Sequence, residues 1–193
     1  AAREIRRTWN FDRAPENANR NVRDTTSYGH NIELTWLLNR AYAVLGFAPA
    51  KELTKQFAEY TLTNGWDYEH GGIFRDGMHD GRVVVTDKEW WQNFESLTGF
   101  LDAYEVVGDE RYLDTFCKLW DFDHTWFYNK AVGESRHLLK ADGTPIIPDV
   151  GNQGKCIYHT DRAMMECLPR LERLLAEKGK TPPPYRYGGG VLP

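Results

Sequence analysis

Residues 87–113, DKEWWQNFESLTGFLDAYEVVGDERYL, hold the pattern on which the fold turns. The sequence is helical in character from Glu89 to Val107, breaks at Gly108-Asp109, and resumes from Glu110 to about Tyr128. Asp109 is placed to cap the second helix through its side-chain oxygen. Two helices joined by so short a break form a hairpin, and a hairpin alone leaves an apolar face uncovered.

The same order occurs upstream. From His30 to Leu45, apolar residues such as Ile32, Trp36, Leu38 and Val44 cover most of a helical surface, which implies burial on more than one side. Gly46 ends that helix, and Pro49 precedes a second one over roughly 50–63, with Leu53, Phe57, Tyr60 and Thr61 on one face. The Gly- and Asp-rich stretch after Asn64-Gly65 reads as a long loop with a small hairpin, and residues 129–157 as a second loop with two turns. Another helix follows from about Thr160 to Lys178, and Pro169 is expected to kink it. Equivalent helix starts at His30, Trp91 and His159 recur every sixty-odd residues. Such repeats stack into a solenoid or close into a toroid, with the more apolar first helices inside and all starting at one end. The expected organisation is all-α: an irregular lead-in over 1–27, helix-hairpin repeats over 28–178, and a flexible tail over 179–193.

Composition narrows the function. With 193 residues, 41% hydrophobic and 27% charged, the chain has the make-up of one soluble domain. A net charge of −4 with scattered Lys and Arg excludes a nucleic-acid groove, which needs a clustered positive face. No apolar run reaches membrane-spanning length. Cys117, Cys156 and Cys167 form no paired motif, so a reducing, cytoplasmic setting is expected. Seven Trp and ten Tyr suit either the half-wet walls of a binding cleft or a Trp-rich helical core, and composition alone does not choose between them.

The chemistry concentrates at the three helix starts, SYGHNIE, KEWWQNFE and CIYHTDRAMME. Each pairs a ring with an acid on the same helical face: His30 with Glu33, Trp91 with Glu95, His159 with Glu166. Two imidazoles and an indole are thus offered at one rim, with carboxylates deeper. Histidine titrates near neutral pH, so it can take and return a proton beside a carbonyl. Glu33 is placed to accept the other ring N–H of His30 and fix its tautomer. A metal is disfavoured, because no second His follows four residues after His30. His70, His79, His124 and His137 have no paired acid at helical spacing and are taken as surface residues.

SYGHNIELTWLL at 27–38, DKEWWQNFESLTGFLDAYEVVGDERYL at 87–113 and GKCIYHTDRAMMEC at 154–167 stand in an order and spacing that resemble the N-acylglucosamine 2-epimerase superfamily, cellobiose 2-epimerases above all. The resemblance covers roughly residues 27–175. It implies an (α/α)6 barrel and cofactor-independent epimerisation at C2 of a reducing-end sugar, through ring opening and a cis-enediolate. By this likeness His30 and His159 match the two general acid/base histidines, and Glu33 the acid supporting the first. Trp91 matches a sugar-contacting tryptophan and Glu95 a carboxylate on the same inner helix. Tyr28, Trp90 and Arg162, in the same motifs, are taken as further sugar contacts. The implied partner is a small-molecule carbohydrate, with no cofactor and no metal.

Three departures bear on disaccharide binding more than on proton chemistry. Gly154 replaces a stacking aromatic, Ser135 replaces the Trp of a Gly-Glu-Trp motif, and Asn93 stands where the family usually has Gln. Three inner helices cannot close a six-hairpin toroid, so self-association or an amino-terminal half outside this chain is expected, with little or no epimerase activity in the chain by itself. Two rivals remain at this stage. An (α/α)6 glycoside hydrolase needs two carboxylates across the scissile bond. A non-catalytic carbohydrate-binding domain is favoured by Gly154 and Ser135 and opposed by His30, Glu33, Trp91 and His159.

Overall fold

The computed structural model describes residues 25–46, 48–179, 186–187 and 190–191. The expected lead-in up to residue 24 and most of the expected tail lie outside the described residues. Strand β1 (Thr25–Ser27) runs directly into α1 (Tyr28–Leu45). Ser27 caps α1: its backbone is extended and its Oγ accepts the His30 N–H at 3.4 Å. Gly46, at φ 68°, closes the helix with its N–H on the Tyr42 carbonyl, in the left-handed conformation that favours glycine. Helix α2 (Ala50–Tyr60) ends in a wide turn over Thr61–Gly65, where the Trp66 N–H reaches the Thr61 carbonyl at 3.0 Å.

The expected hairpin of the first loop is β2 (Asp76–Met78) with β3 (Val83–Val85), and β2 also pairs antiparallel with β1. Strand β4 (Lys88–Glu89) leads into α3 (Trp90–Val107), and Asp109 caps α4 (Glu110–Phe122) by accepting the Arg111 N–H. Like α2, α4 ends in a wide turn, Asp123–Phe127. The second loop is more ordered than its sequence suggests. Within it β5 (Tyr128–Asn129) pairs with β6 (Glu134–Ser135), and β7 (Leu138–Leu139) lies between β4 and β8 (Pro145–Ile147). Helix α5 (Tyr158–Glu177) starts two residues before the expected point and runs through Pro169, which lies on its exposed side. At the far end β9 (Arg186–Tyr187) and β10 (Gly190–Val191) pair antiparallel.

Helix α3 is central. It packs between α1 and α5, with α4 outside it and α2 bridging α1 and α3, the inner–outer alternation of an α/α toroid. Leu97, Phe100, Leu101 and Ala103 fill its faces and are fully buried. The α1–α3 contact is close because Gly99 has no side chain. A Cβ there would stand 2.5 Å from the Ile32 carbonyl oxygen, a backbone atom that cannot swing away. Gly99→Ala is therefore expected to cost about 1–3 kcal/mol through overpacking, despite alanine's better helix propensity. Thermal denaturation checks this, and an unchanged melting temperature would contradict the close packing.

Both loops are fastened to the start of α3 by one buried lysine. Lys88 Nζ donates to Asp67 Oδ2 at 2.7 Å and to the Ala141 carbonyl at 2.5 Å, and lies 4.6 Å from the centre of the Phe122 ring. Asp67 in turn accepts the backbone N–H groups of Glu69 and His70. Among the described residues, no helix is long and apolar enough to cross a membrane.

Candidate active site

Strands β1 and β4 run directly into α1 and α3, the second loop leads into α5, and three rings meet where these helices start. The Trp91 indole lies 4.6 Å from the His30 ring centre and 5.6 Å from that of His159. The two imidazoles, remote in sequence, thus lie against one indole and are no farther apart than those two distances combined.

Below them lies a charged cluster. Glu95 Oε1 accepts from His159 Nδ1 at 2.6 Å, while Glu95 Oε2 accepts the Trp36 indole N–H at 3.1 Å. Arg162 Nη2 donates to Glu95 and, at 3.1 Å, to Glu33. The guanidinium is stacked 4.8 Å from the Trp36 ring centre and 4.3 Å from that of Tyr158. His159 Nδ1 is also 3.2 Å from Arg162 Nη2, but a guanidinium only donates. The shorter contact with a carboxylate therefore assigns the ring hydrogen to Nδ1 and leaves the Nε2 lone pair available. Burial holds the His159 pKa below its ordinary value, against the opposing charges of Glu33 and Glu89. The lowered pKa favours the neutral ring, the form a proton acceptor needs.

Ligand-type atoms of Glu33, Glu95 and His159 fall within 4.8 Å of one another, the spacing of a cation site. The cation these two carboxylates hold is the Arg162 guanidinium. Arg162→Met is expected to raise the His159 pKa, since it removes the adjacent positive charge and leaves Glu33 and Glu95 facing the ring. A histidine NMR titration reads that midpoint; no rise would show that the guanidinium does not set it.

Several sequence expectations are corrected. Glu166, expected to serve His159, pairs with Arg170 and Arg40, each at 2.6 Å. Seven residues along a helix is about 10 Å of axial rise, too far for a hydrogen bond, so the neighbouring helix supplies Glu95. Tyr28 is no sugar contact: it is 0% exposed and packs beside Tyr60. Trp90 is likewise buried at 4%, edge-on to His137 with ring centres 4.7 Å apart and with Lys155 Nζ 5.4 Å from its own. Successive residues on a helix point about 100° apart, so only one of the two tryptophans can face the rim. His137, taken as a surface residue, is half-buried behind Trp90 and 2.8 Å from the Asn152 amide. Asn93 is internal framework, accepting the Ile73 N–H at 2.9 Å and donating to the Glu89 carbonyl at 3.0 Å.

The second loop closes over this end through Glu134. Burial alone would raise its pKa, but the Ser135 N–H and hydroxyl and the Lys155 ammonium hold the carboxyl below its usual range. Ser135 is fully buried, and Gly154 lies exposed beside Asn152.

Compared with known proteins, residues 3–163 match the family model of N-acylglucosamine 2-epimerase (GlcNAc 2-epimerase). The chain belongs to this family. A curated relative in the family, the cellobiose 2-epimerase of Ruminococcus albus, is 34% identical over 155 residues, covering 77% of this chain and 39% of its own length. Two solved structures are similar. Cellobiose 2-epimerase from Bacillus thermoamylovorans superposes with a TM-score of 0.68 at 28% identity, over 76% of this chain and 38% of its own. D-mannose isomerase superposes with a TM-score of 0.71 at 24% identity, over 74% and 37%, a likeness of fold. The chain spans about two-fifths of the length of these relatives, and its helices form part of an (α/α)6 toroid.

Proposed function

We propose that this end of the chain moves a proton at C2 of a reducing-end sugar, the step that inverts C2 in a 2-epimerase. The observation that carries the reading is the pair of imidazoles lying against one indole. In the proposed reaction the open-chain aldose lies along Trp91. His159 Nε2 takes the C2 proton, the electron pair forms the enediolate, and His30 returns a proton to the opposite face. Neither histidine changes its net proton count over the pair of steps once solvent re-equilibrates them, so no cofactor is needed. Glu95 orients His159, and Arg162 bridges Glu33 and Glu95.

A hydrolase reading has less support. Glu33 and Glu95 share one guanidinium, with oxygens within 4.8 Å of each other, and do not stand apart across a gap that a glycosidic bond would fill. The cleft's remaining wall comes, in this proposal, from a further unit packed on the α1 side, where Leu37, Tyr42, Val44 and Leu45 are exposed. That unit is a second copy or further polypeptide, and turnover by the lone chain is slow.

Slow turnover still leaves a cumulative label. Incubated in D2O with mannose, N-acetylglucosamine and cellobiose, the chain is expected to replace the C2 hydrogen of at least one sugar with deuterium, read by NMR. A ketose product would show reprotonation at C1 of the same enediolate. Cleavage of cellobiose without C2 label, or no label in any of the three, would overturn the reading.

A further inference from the structure

A cavity of about 390 Å³ lies on the other side of the first turns of α3 and α5 from the three rings. It opens where α4 leans on α3 but barely touches α5. Phe94 and Met164 supply its apolar surface. One wall is a ladder of near-parallel rings: Trp120 and His124 are 5.8 Å apart at 24°, and His124 and Tyr128 are 5.8 Å apart at 14°. Asp123, Glu134 and Asp161 also line it, and among the described residues no Lys or Arg does.

Asp123 is the unexplained group. Its side chain is buried, at 1% exposure, and among the described residues neither carboxyl oxygen has a hydrogen-bond partner. Buried polar groups are rarely left so. The charge that attracts it is Lys88, whose ammonium is already committed to Asp67 and the Ala141 carbonyl. Of the other acids, Glu134 is held by Lys155, Ser135 and Thr160, and Asp161 stands on the exposed rim. The cavity therefore combines an unanswered buried acid, aromatic faces and no cation of its own.

We propose that this cavity binds a small organic ammonium ion, with its N–H groups on Asp123 and its carbon body along the Trp120–His124–Tyr128 ladder. Aromatic faces attract cations electrostatically, most strongly where water is excluded. An anion would meet three acids, and a neutral polyol would leave the carboxyl uncompensated. Burial raises the Asp123 carboxyl well above the usual carboxylate range, against the pull of Lys88. A bound ammonium favours the ionised carboxylate, so affinity rises with pH.

The test titrates benzylammonium and its neutral analogue benzyl alcohol calorimetrically into the whole chain. Expected are saturable benzylammonium binding and at least tenfold weaker benzyl alcohol binding. Asp123→Asn should weaken benzylammonium at least tenfold with an unchanged circular-dichroism spectrum. Equal affinity for the two probes or absence of saturable binding would each overturn the proposal. So would full affinity in a folded Asp123→Asn variant. Should that variant misfold, the preference of the unaltered chain for benzylammonium over benzyl alcohol decides.

Discussion

His159→Asn is expected to slow deuterium incorporation at C2 of a reducing sugar by about 10²–10⁴-fold, the usual worth of a positioned general base. The substitution removes the Nε2 lone pair that Glu95 orients through the 2.6 Å contact at Nδ1. It leaves the Trp91 indole, the guanidinium stack of Arg162 and the buried body of α3 in place. Sugar affinity, followed by tryptophan fluorescence, should therefore change little while the exchange rate collapses. Because burial holds the His159 pKa below its ordinary value, exchange in the unaltered chain should already be on its plateau at neutral pH and fall as acid protonates the ring. A variant that exchanges within threefold of the parent would remove His159 from the chemistry.

The largest expected loss of stability is at Lys88→Met, about 3–5 kcal/mol, the range for removing one partner of a buried ion pair. Lys88 is fully buried, and its loss would strand Asp67, itself 3% exposed, without a counter-charge. It would also release the Ala141 carbonyl, and so loosen both loops at the start of α3. Urea denaturation measures the loss, and Asp67→Asn in the same chain should restore part of it by removing the stranded charge. A loss below about 1 kcal/mol would contradict the fastening role. The pH dependence follows from Asp67. Burial pushes its pKa up, but Lys88 and the N–H groups of His70 and Glu69 outweigh that and hold it below 3.8. A carboxyl with a depressed folded-state pKa contributes stability that is fully present above 3.8 and lost as the pH falls through the lowered value.

The helices were legible because their signals are local. Gly46 and Gly108 both adopt the left-handed conformation that ends a helix, and Asp109 caps the next one through its own side chain. The meeting of His30, Trp91 and His159 was legible because a repeat with sixty-odd residues per hairpin must return its inner helices to the same end. What sequence could not supply was contact between helices. His159 has an acid seven residues along its own helix, yet uses Glu95 from α3, and Arg162 joins Glu33 to Glu95 across two helix boundaries. Tyr28 and Trp90 belong to the right motifs but point into the core, a matter of helical phase that composition does not reveal. Strands of two or three residues, such as β4 and β7, pair across a separation that leaves no periodicity to read. Lys88 and Asp123 resemble ordinary surface charges in the sequence, and only the packing shows them enclosed.

Everything functional depends on His30 and His159 addressing the same bound molecule. The direct measurement is a histidine-labelled NMR spectrum of the chain titrated with mannose, following both imidazole signals at once. Convergence predicts that the two shift saturably and with one shared dissociation constant. If only one ring responds, or each follows its own binding curve, the two histidines serve separate places and the proton-transfer account fails.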